Sequence, residues 1–363
     1  MKIAYYVDSS SAVNWGGQAT SAGIRHLVEK TYPDAEFVPV RFRSLPFRNA
    51  TFLRRLLDIA VWWAVKTGNV PLLVRILHWY GIDRDLYDRF DVVCFNGEGA
   101  IHDKSGHVFR LVGSLYAFKK KGVRVYAVNQ TVDVRPDGLS AKLLKLVFPA
   151  LDRVAVREPR SLSLMKSLGL SAELIGDAAY ALPVMPPAER QERFRRFGID
   201  KPFVAVTASS FLRRDRQSVA KVDRLLKTLA GLNIGMVFLA NTKTDLYIAK
   251  RLQQKYGLKI VDYEMADYLD AIAIISMADL VVGGRQHPNI FAAKYGVPFV
   301  GLDGNTHKMR GVAELLNYPI PVFQWDFDEA GLLEAARKAL AGEYDAVAIR
   351  VPLLESIDLG EGR

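Results

Sequence analysis

The chain has 363 residues, half of them hydrophobic and 24% charged. This length is enough for about two domains of ordinary size, and the composition excludes a disordered or fibrous protein. A single cysteine, Cys94, excludes an intramolecular disulfide framework and any metal cluster held by several cysteines. We therefore expect a reducing, cytoplasmic location.

The charge balance narrows the classes of partner. Forty-nine basic residues against 39 acidic ones give a net charge of +10, which favours an anionic substrate, an anionic membrane surface or nucleic acid. No nucleic-acid-binding motif accompanies this charge, so we expect no nucleic acid partner. The most apolar stretch, residues 56–65, is about half the length of a membrane span. We expect neither a transmembrane helix nor an export signal.

Strand-like runs alternate with helical patterns along the whole chain, and several of these runs are continuously apolar. Such runs are typical of strands buried on both faces of a parallel sheet, so the pattern predicts an α/β doubly wound fold. The predicted strands are Ile3–Val7, Phe37–Val40, Val92–Asn96, Arg124–Asn129, Arg153–Arg157, Glu173–Ile175, Phe203–Ala208, Gly235–Leu239, Lys259–Asp262, Leu280–Val282 and Phe299–Leu302.

A proline-rich break divides the strands into two sets. Residues 182–187 contain three prolines, and a charged stretch follows at 189–196. Prolines at this density are typical of a linker. We therefore predict a Rossmann-like domain over residues 1–183, a second over 184–350 and a tail over 351–363. Two facing parallel sheets would form a cleft at the carboxyl ends of their strands.

Two glycine-rich loops follow predicted strands of the first domain. They are Asn14-Trp-Gly-Gly-Gln18 and Asn96-Gly-Glu-Gly-Ala-Ile-His102. Glycines allow the backbone to approach a ligand closely, and neither loop has the dinucleotide-binding pattern. The polar side chains suit a sugar with many hydroxyls, although a purely structural role for the turns remains open. The candidate acceptor-binding residues are Asn14, Gln18, Asn96, Glu98 and His102.

The segment 48–80 contains three of the five tryptophans, mixed with arginines and leucines. Basic residues beside Trp and Leu on a helix suit the lipid headgroup region. The alternative is that both predicted helices only cover the sheet, with Leu53, Leu56, Leu57, Ala60 and Ala64 in the core. Peripheral contact with the inner face of a membrane is therefore one expectation for this segment.

Cationic residues follow the strands on the cleft side. Arg157 ends a predicted strand just before a helix, where it either binds a ligand or forms an interdomain ion pair with Glu158 or Asp177. In Gly283-Gly-Arg-Gln-His-Pro288, a buried strand leads into a helix with Pro288 at its first position. Arg285 and His287 then lie at a helix N-terminus, where the backbone N–H groups and the helix dipole favour an anion.

A second helix start follows the next strand, with Asn305 or Thr306 as the expected N-cap. His307 and Lys308 then lie beside Arg285 and His287, and all four side chains could bind one phosphate or carboxylate. Surface roles for His307 and Lys308 remain the alternative. No cluster of carboxylates or histidines has metal-ligand spacing, so we expect no metal and no cofactor.

In this order, the motifs resemble those of the polysaccharide pyruvyl transferase family. The resemblance covers Asn14–Gly17, Phe95–Gly99, Val156–Ser161, Gly176-Asp177, Gly284–His287 and Gly296–Pro298. It implies two Rossmann-like domains similar to GT-B glycosyltransferases. It also implies transfer of pyruvate from phosphoenolpyruvate onto a sugar as a ketal, during assembly of a surface polysaccharide. The acceptor sugar would be lipid-linked, nucleotide-linked or polymeric.

The same resemblance assigns roles to individual residues. The family's Arg-x-His element matches Arg285 and His287, which implies donor binding and catalysis for both. Arg157 matches the arginine of the Val-Arg-Glu segment. Gln286 stands where some members have a second histidine. Two alternatives remain open at this point: a GT-B glycosyltransferase that uses a nucleotide sugar, and a non-catalytic protein that binds anions or glycans.

Overall fold

A computed structural model describes residues 1–40, 51–103 and 107–343. All eleven predicted strands are present, and β3 and β4 run several residues further than the sequence predicts. The strands are β1 (Lys2–Tyr6), β2 (Glu36–Val40), β3 (Val92–His102), β4 (Arg124–Asp133), β5 (Arg153–Val156), β6 (Glu173–Leu174), β7 (Phe203–Ser209), β8 (Gly235–Ala240), β9 (Lys259–Asp262), β10 (Leu280–Gly284) and β11 (Phe299–Gly301).

Helices connect these strands, as the alternating pattern predicts. The helices are α1 (Trp15–Thr31), α2 (Thr51–Lys66), α3 (Val70–Trp79), α4 (Val108–Lys120), α5 (Leu139–Val147), α6 (Pro159–Ser167), α7 (Pro187–Arg195), α8 (Arg216–Ala230), α9 (Lys243–Tyr256), α10 (Tyr268–Met277), α11 (Gln286–Lys294), α12 (Lys308–Leu315) and α13 (Glu329–Leu340). Among the described residues, every helix is too short or too polar to cross a membrane.

The strands form two sheets, one in each of two compact units. The first sheet has the order β2-β1-β3-β4-β5-β6, and the second has the order β11-β10-β7-β8-β9. All strand pairs within both sheets are parallel. The predicted α/β fold class with two parallel sheets is therefore confirmed.

The two units do not follow the chain in simple succession. Among the described residues, the first unit contains Met1–Asp8 and Ile24–Ala178, and the second contains Ser9–Gly23 and residues 179–343. Helix α1 therefore gives its first nine residues to the second unit. The sequence analysis placed residues 9–23 with the first sheet, because they directly follow its first strand.

Helices α2 and α3 pack against α4, where Val61 and Leu73 contact the space beside Gly113, and Leu57, Val61 and Leu73 lie in the core of the first unit. Of the five core positions expected on α2, Leu57 and Ala64 are buried, whereas Leu53 and Ala60 are only partly buried against the core. Leu56 differs from the expectation, because 47% of its surface is exposed.

The second sheet has β7 at its centre, and every residue of β7 is buried. The charged stretch expected to belong to a linker is instead mostly helix α7, whose Phe194 lies in the core of the second unit. Arg193 on this helix donates to Asp270 of α10 at 2.9 Å. This ion pair and the buried ring explain why a very polar sequence forms a packed helix here.

Candidate functional site

The candidate site of the second unit lies where four neighbouring strands end. Strands β11, β10, β7 and β8 are adjacent and parallel, so their carboxyl ends share one edge of the sheet. Each is followed by a loop rich in polar side chains, and ligands of open α/β sheets bind at this edge.

Glycine is required at the end of β10. A Cβ atom on Gly283 would lie 2.1 Å from Oγ1 of Thr207, and one on Gly284 would lie 2.8 Å from Oγ of Ser209. The close approach of β10 to β7 therefore excludes any side chain. Helix α11 begins directly afterwards at Gln286, with Arg285 as its N-cap. Pro288 is the third residue of this helix, not the first as predicted.

Arg285 forms an ion pair that the sequence analysis did not predict. Its Nη2 donates to Oδ1 of Asp245 at 2.6 Å and to Oγ1 of Thr242 at 3.0 Å. Burial raises the pKa of Asp245 above its ordinary value, while the Arg285 guanidinium opposes that rise. The carboxylate is fully buried, whereas 14% of the Arg285 side chain is exposed.

The Asn14–Gly17 motif packs within the same unit. The backbone N–H of Trp15 donates to Oδ1 of Asn241 at 2.8 Å, and its indole Nε1 donates to the carbonyl oxygen of Ala266 at 2.8 Å. The indole is completely buried in the core of the second unit. The start of α1 is thereby fixed against the loop that follows β8.

This placement brings α1 against His287. Oγ1 of Thr20 lies 3.0 Å from Nε2 of His287. The same hydroxyl donates its single proton to the carbonyl oxygen of Gly16 at 2.7 Å, so it must accept from His287. Nε2 therefore carries a proton, and Nδ1 is the nitrogen whose protonation can change.

Gly16 makes room for this imidazole. A Cβ atom on Gly16 would lie 2.0 Å from Nδ1 and 2.5 Å from Cγ of His287. Real Cβ atoms do not approach other atoms so closely, so any larger residue would displace the ring. The structure therefore brings together two motifs that are about 270 residues apart.

The loop after β11 joins the same edge. Ser210 Oγ donates to Oδ1 of Asn305 at 2.8 Å, and Cε of Lys308 lies 3.3 Å from where a Cβ of Gly304 would be. The N-cap of α12 is His307 rather than Asn305 or Thr306. Because its side chain binds Ser210, Asn305 holds the loop instead of capping the helix.

Buried polar atoms without a hydrogen-bond partner among the described residues concentrate at this edge. Most buried polar groups are paired, so such a concentration is typical of a ligand site. These atoms are Thr207 Oγ1, Asp245 Oδ2, Arg285 Nε, Gln286 Nε2, Asn289 Oδ1 and Thr306 Oγ1.

Asn14 and Gln18, predicted to bind an acceptor, lie in this second unit and stabilise its backbone. Asn14 Oδ1 accepts from the N–H of Gly17 at 2.8 Å, which caps α1. Gln18 donates to the carbonyl oxygen of Ala12 at 2.9 Å and accepts from the N–H of Tyr268 at 3.1 Å. Asn14 Oδ1 and both polar atoms of Gln18 thus make structural hydrogen bonds.

Asn96 has a similar role in the first unit. It is fully buried in the middle of β3, where Nδ2 donates to the hydroxyl of Tyr5 at 2.9 Å and to Oε1 of Glu98 at 3.1 Å. Its Oδ1 accepts from Asn129 at 2.9 Å. All of its hydrogen-bonding positions except one lone pair are filled within the protein.

Two other predicted residues lie beyond Asn96 on the same strand. Glu98 has a positive φ of 39°, which turns the backbone sharply between its flanking glycines. His102 is the last residue of β3 and is paired in register with Asp133. Both side chains are partly exposed, so both can reach a ligand.

Gln130 was missed by sequence reasoning. It is completely buried on β4, and neither Oε1 nor Nε2 has a hydrogen-bond partner among the described residues. A Cβ on Gly97 would lie 2.4 Å from its Cβ, so the glycine-rich loop packs directly on this side chain. The predicted strand ended one residue earlier, at Asn129, and nothing in the local sequence indicates that the Gln130 amide is buried without a partner.

Arg157 is the predicted cation that the structure buries most deeply. Its Nη1 donates to Oδ2 of Asp177 at 2.7 Å and its Nε donates to Oγ1 of Thr131 at 2.9 Å. Both charged side chains are almost fully buried. The ion pair with Asp177, one of the two alternatives, is the one the structure contains. It lies within the first unit.

The matching family model decides the classification. The model described as polysaccharide pyruvyl transferase matches residues 14–306, which is most of the chain. The chain belongs to the polysaccharide pyruvyl transferase family. No curated protein matches the chain in sequence. Within this family assignment, the matched region contains Arg285, His287 and the motif around Trp15.

Solved structures similar to this pyruvyl transferase family member have the GT-B type of fold. A putative UDP-N-acetylglucosamine 2-epimerase from Listeria monocytogenes has a TM-score of 0.61 at 10% identity, over 99% of this chain and 93% of that one. The UDP-GlcNAc 2-epimerase from Neisseria meningitidis, bound to UDP-GlcNAc, has a TM-score of 0.58 at 12% identity, over 99% and 97%. At this identity the likeness shows the fold alone.

Proposed function

We propose that this enzyme transfers the pyruvyl group of phosphoenolpyruvate to two hydroxyls of a sugar, forming a ketal. In this reaction C3 of phosphoenolpyruvate gains a proton and C2 is attacked by one sugar hydroxyl. A second hydroxyl then displaces phosphate. One hydroxyl proton balances the proton added to C3, and the other leaves with the phosphate. Family membership supports the reaction class.

The second unit supplies the proposed donor site. Phosphoenolpyruvate has a carboxylate and a phosphate, and its charge requires cations and backbone N–H donors. Arg285 and Lys308 follow adjacent strands at the edge where unpaired polar atoms concentrate, and α11 begins between them. We assign Arg285, His307 and Lys308 to donor binding. This concentration is the observation that carries the assignment.

His287 is the proposed general acid. Because Nε2 is held by Thr20, proton transfer to C3 would use Nδ1, the nitrogen beside Gly16. A positioned acid contributes a factor of about 100 to 10,000 in rate. Arginine and helix N-termini then stabilise the departing phosphate.

Glu98 and His102 remain the proposed acceptor-binding residues of the first unit, and Gln130 joins them. A primary amide both donates and accepts, which suits adjacent sugar hydroxyls. We do not carry Asn14, Gln18, Asn96 or Arg157 into the binding sites, because each of them already makes side-chain hydrogen bonds within the protein. Their proposed role is to hold loops and strands in place.

The decisive experiment incubates the full-length protein with phosphoenolpyruvate and a panel of glycans and lipid-linked sugars. We expect phosphate release together with a pyruvyl mass increment on the glycan. We also expect phosphoenolpyruvate to raise the melting temperature by mass action. A rise in melting temperature with UDP- or GDP-sugars alone would favour a glycosyltransferase. Binding of phosphoenolpyruvate without a product on any acceptor would favour a non-catalytic binding protein.

Two histidine variants test whether His287 is the general acid. His287→Ala should reduce turnover about 100- to 10,000-fold while phosphoenolpyruvate still raises the melting temperature. His26→Ala is the matched control, because His26 lies on the part of α1 in the first unit. Near-normal turnover in His287→Ala would exclude His287 as the acid.

A further inference from the structure

Helices α2 and α3 expose an apolar stripe on the surface of the first unit. Phe52, Leu56, Ile59 and Trp63 recur on α2 at spacings of four, three and four residues, and Trp79 is exposed on α3. Their exposed fractions are 74%, 47%, 51%, 50% and 65%. These five are half of the large hydrophobic side chains exposed among the described residues. Such concentration marks an interaction surface.

The stripe is not a by-product of loose packing. The opposite faces of the same helices are buried in the core of the first unit, through Leu57, Val61, Leu73 and Leu77. Both helices are therefore anchored to the rest of the first unit, mainly through α4, while the stripe points outward. A helix with two apolar faces needs a second apolar environment.

Cations flank the stripe. At 100° per residue, Arg55 and Lys66 project along one edge of the α2 stripe, and both are exposed. Arg75 is exposed on α3, one turn from Trp79. The one acidic residue on the two helices is Asp58, which accepts a hydrogen bond from Tyr80 at 2.6 Å. The face is therefore apolar at its centre and positive at its margin.

We infer that this face, defined by Phe52, Leu56, Ile59, Trp63 and Trp79 with Arg55, Lys66 and Arg75, docks on an anionic lipid bilayer. Tryptophans occupy the headgroup boundary, and arginine and lysine attract anionic phosphates. A second copy of the chain fits less well, because a symmetric contact would bring like charges together. The inference concerns a surface separate from the donor residues and does not depend on the proposed reaction.

The test uses the full-length chain with vesicles of phosphatidylcholine, with and without phosphatidylglycerol, in a flotation assay. We expect flotation only with phosphatidylglycerol present, and weaker binding as salt rises, because charges are screened within about 10 Å at 0.1 M. Protein that never floats, or that floats equally on both vesicle types, would overturn the inference.

Matched variants distinguish binding through this face from non-specific adsorption of the protein to vesicles. Ile59→Ser/Trp63→Ser should abolish flotation, whereas Val184→Ser/Met265→Ser should not, although those residues are exposed to a similar extent in the second unit. Arg55→Glu/Arg75→Glu should weaken binding by roughly tenfold or more. Lys227→Glu/Lys250→Glu, with the same change in net charge at two exposed sites, should have less effect.

The oligomeric state tests whether the face binds a second copy of the chain instead of a lipid bilayer. Light scattering after gel filtration should give the same mass for the wild type and for Ile59→Ser/Trp63→Ser. A wild-type dimer that the variant converts to a monomer, without flotation of the wild type, would overturn the lipid assignment. Activity on a soluble acceptor should be equal in both proteins, and a loss there would show that the helices act on the site instead.

Discussion

Arg285 and Asp245 form an asymmetric ion pair: the carboxylate is fully enclosed and the guanidinium is partly exposed. The buried partner thus fixes the position of the exposed one. Such pairs add little net stability, but removing one partner leaves an uncompensated buried charge. Under the proposed function, Arg285 would therefore have two separable roles, one in the fold and one in binding the anionic donor.

We predict that Arg285→Ala destabilises the protein by about 3–5 kcal/mol and abolishes turnover. Asp245→Asn in the same chain should restore much of the stability, because it removes the orphaned carboxylate, but should not restore turnover. Denaturant unfolding and the phosphate-release assay measure the two effects. Recovery of activity in the double variant would remove Arg285 from the donor site.

Arg285→Lys should also be impaired, although it keeps the charge. An ammonium group cannot match the two-pronged geometry with which a guanidinium binds Thr242 and Asp245 on one side and an anion on the other. The expected result is a higher KM for phosphoenolpyruvate with near-wild-type stability.

Thr20 is predicted to position the imidazole of His287. Thr20→Val removes the acceptor for Nε2 and should lower kcat with little change in KM, whereas Thr20→Ser keeps the hydroxyl and should retain most activity. Equal activity in Thr20→Val and the wild type would exclude this role.

Gln130 offers a test in which stability and function move in opposite directions. Burying an amide without partners costs free energy, so Gln130→Leu should raise the free energy of unfolding. If the amide binds the acceptor, the same variant should lose acceptor use while phosphoenolpyruvate binding stays normal. A stabilised variant with unchanged acceptor kinetics would remove Gln130 from the proposed site.

Cys94 provides a probe of the first unit. Complete burial raises the pKa of its thiol to about 12, and only the thiolate reacts with alkylating agents. The folded protein should therefore resist iodoacetamide at pH 7 and should gain little reactivity at pH 9. Unfolded protein should take up one label per chain. Rapid labelling of the native protein would contradict the burial of β3.

The sequence predicted the strands well, because parallel strands buried on both faces require continuous apolar runs. It predicted helix starts less well. Pro288 and Asn305 are residues favoured near helix starts, yet tertiary contacts decided the outcome: Asn305 binds Ser210, and α11 starts two residues earlier. Local preference is a weak guide where loops from different strands hydrogen-bond to one another.

The sequence predicted which cationic residues belong to the candidate site, but not the residues with which they pair. Arg285 and His287 could be singled out because they follow a buried strand, but Asp245 and Thr20 lie 40 and 267 residues away from their partners. The sequence around Asp245, Thr242-Lys-Thr-Asp245, indicates only a capped helix start. Nothing local distinguishes a capping carboxylate from one that pairs with a distant arginine.

The membership of residues 9–23 in the second unit has a consequence for synthesis of the chain. Trp15 is synthesised before its hydrogen-bond acceptor Ala266, which follows 251 residues later. At about 5–20 residues per second, the indole waits roughly 12–50 s for its burial site. During that interval a large aromatic ring lacks its native burial site in the nascent chain, where chaperones can bind it.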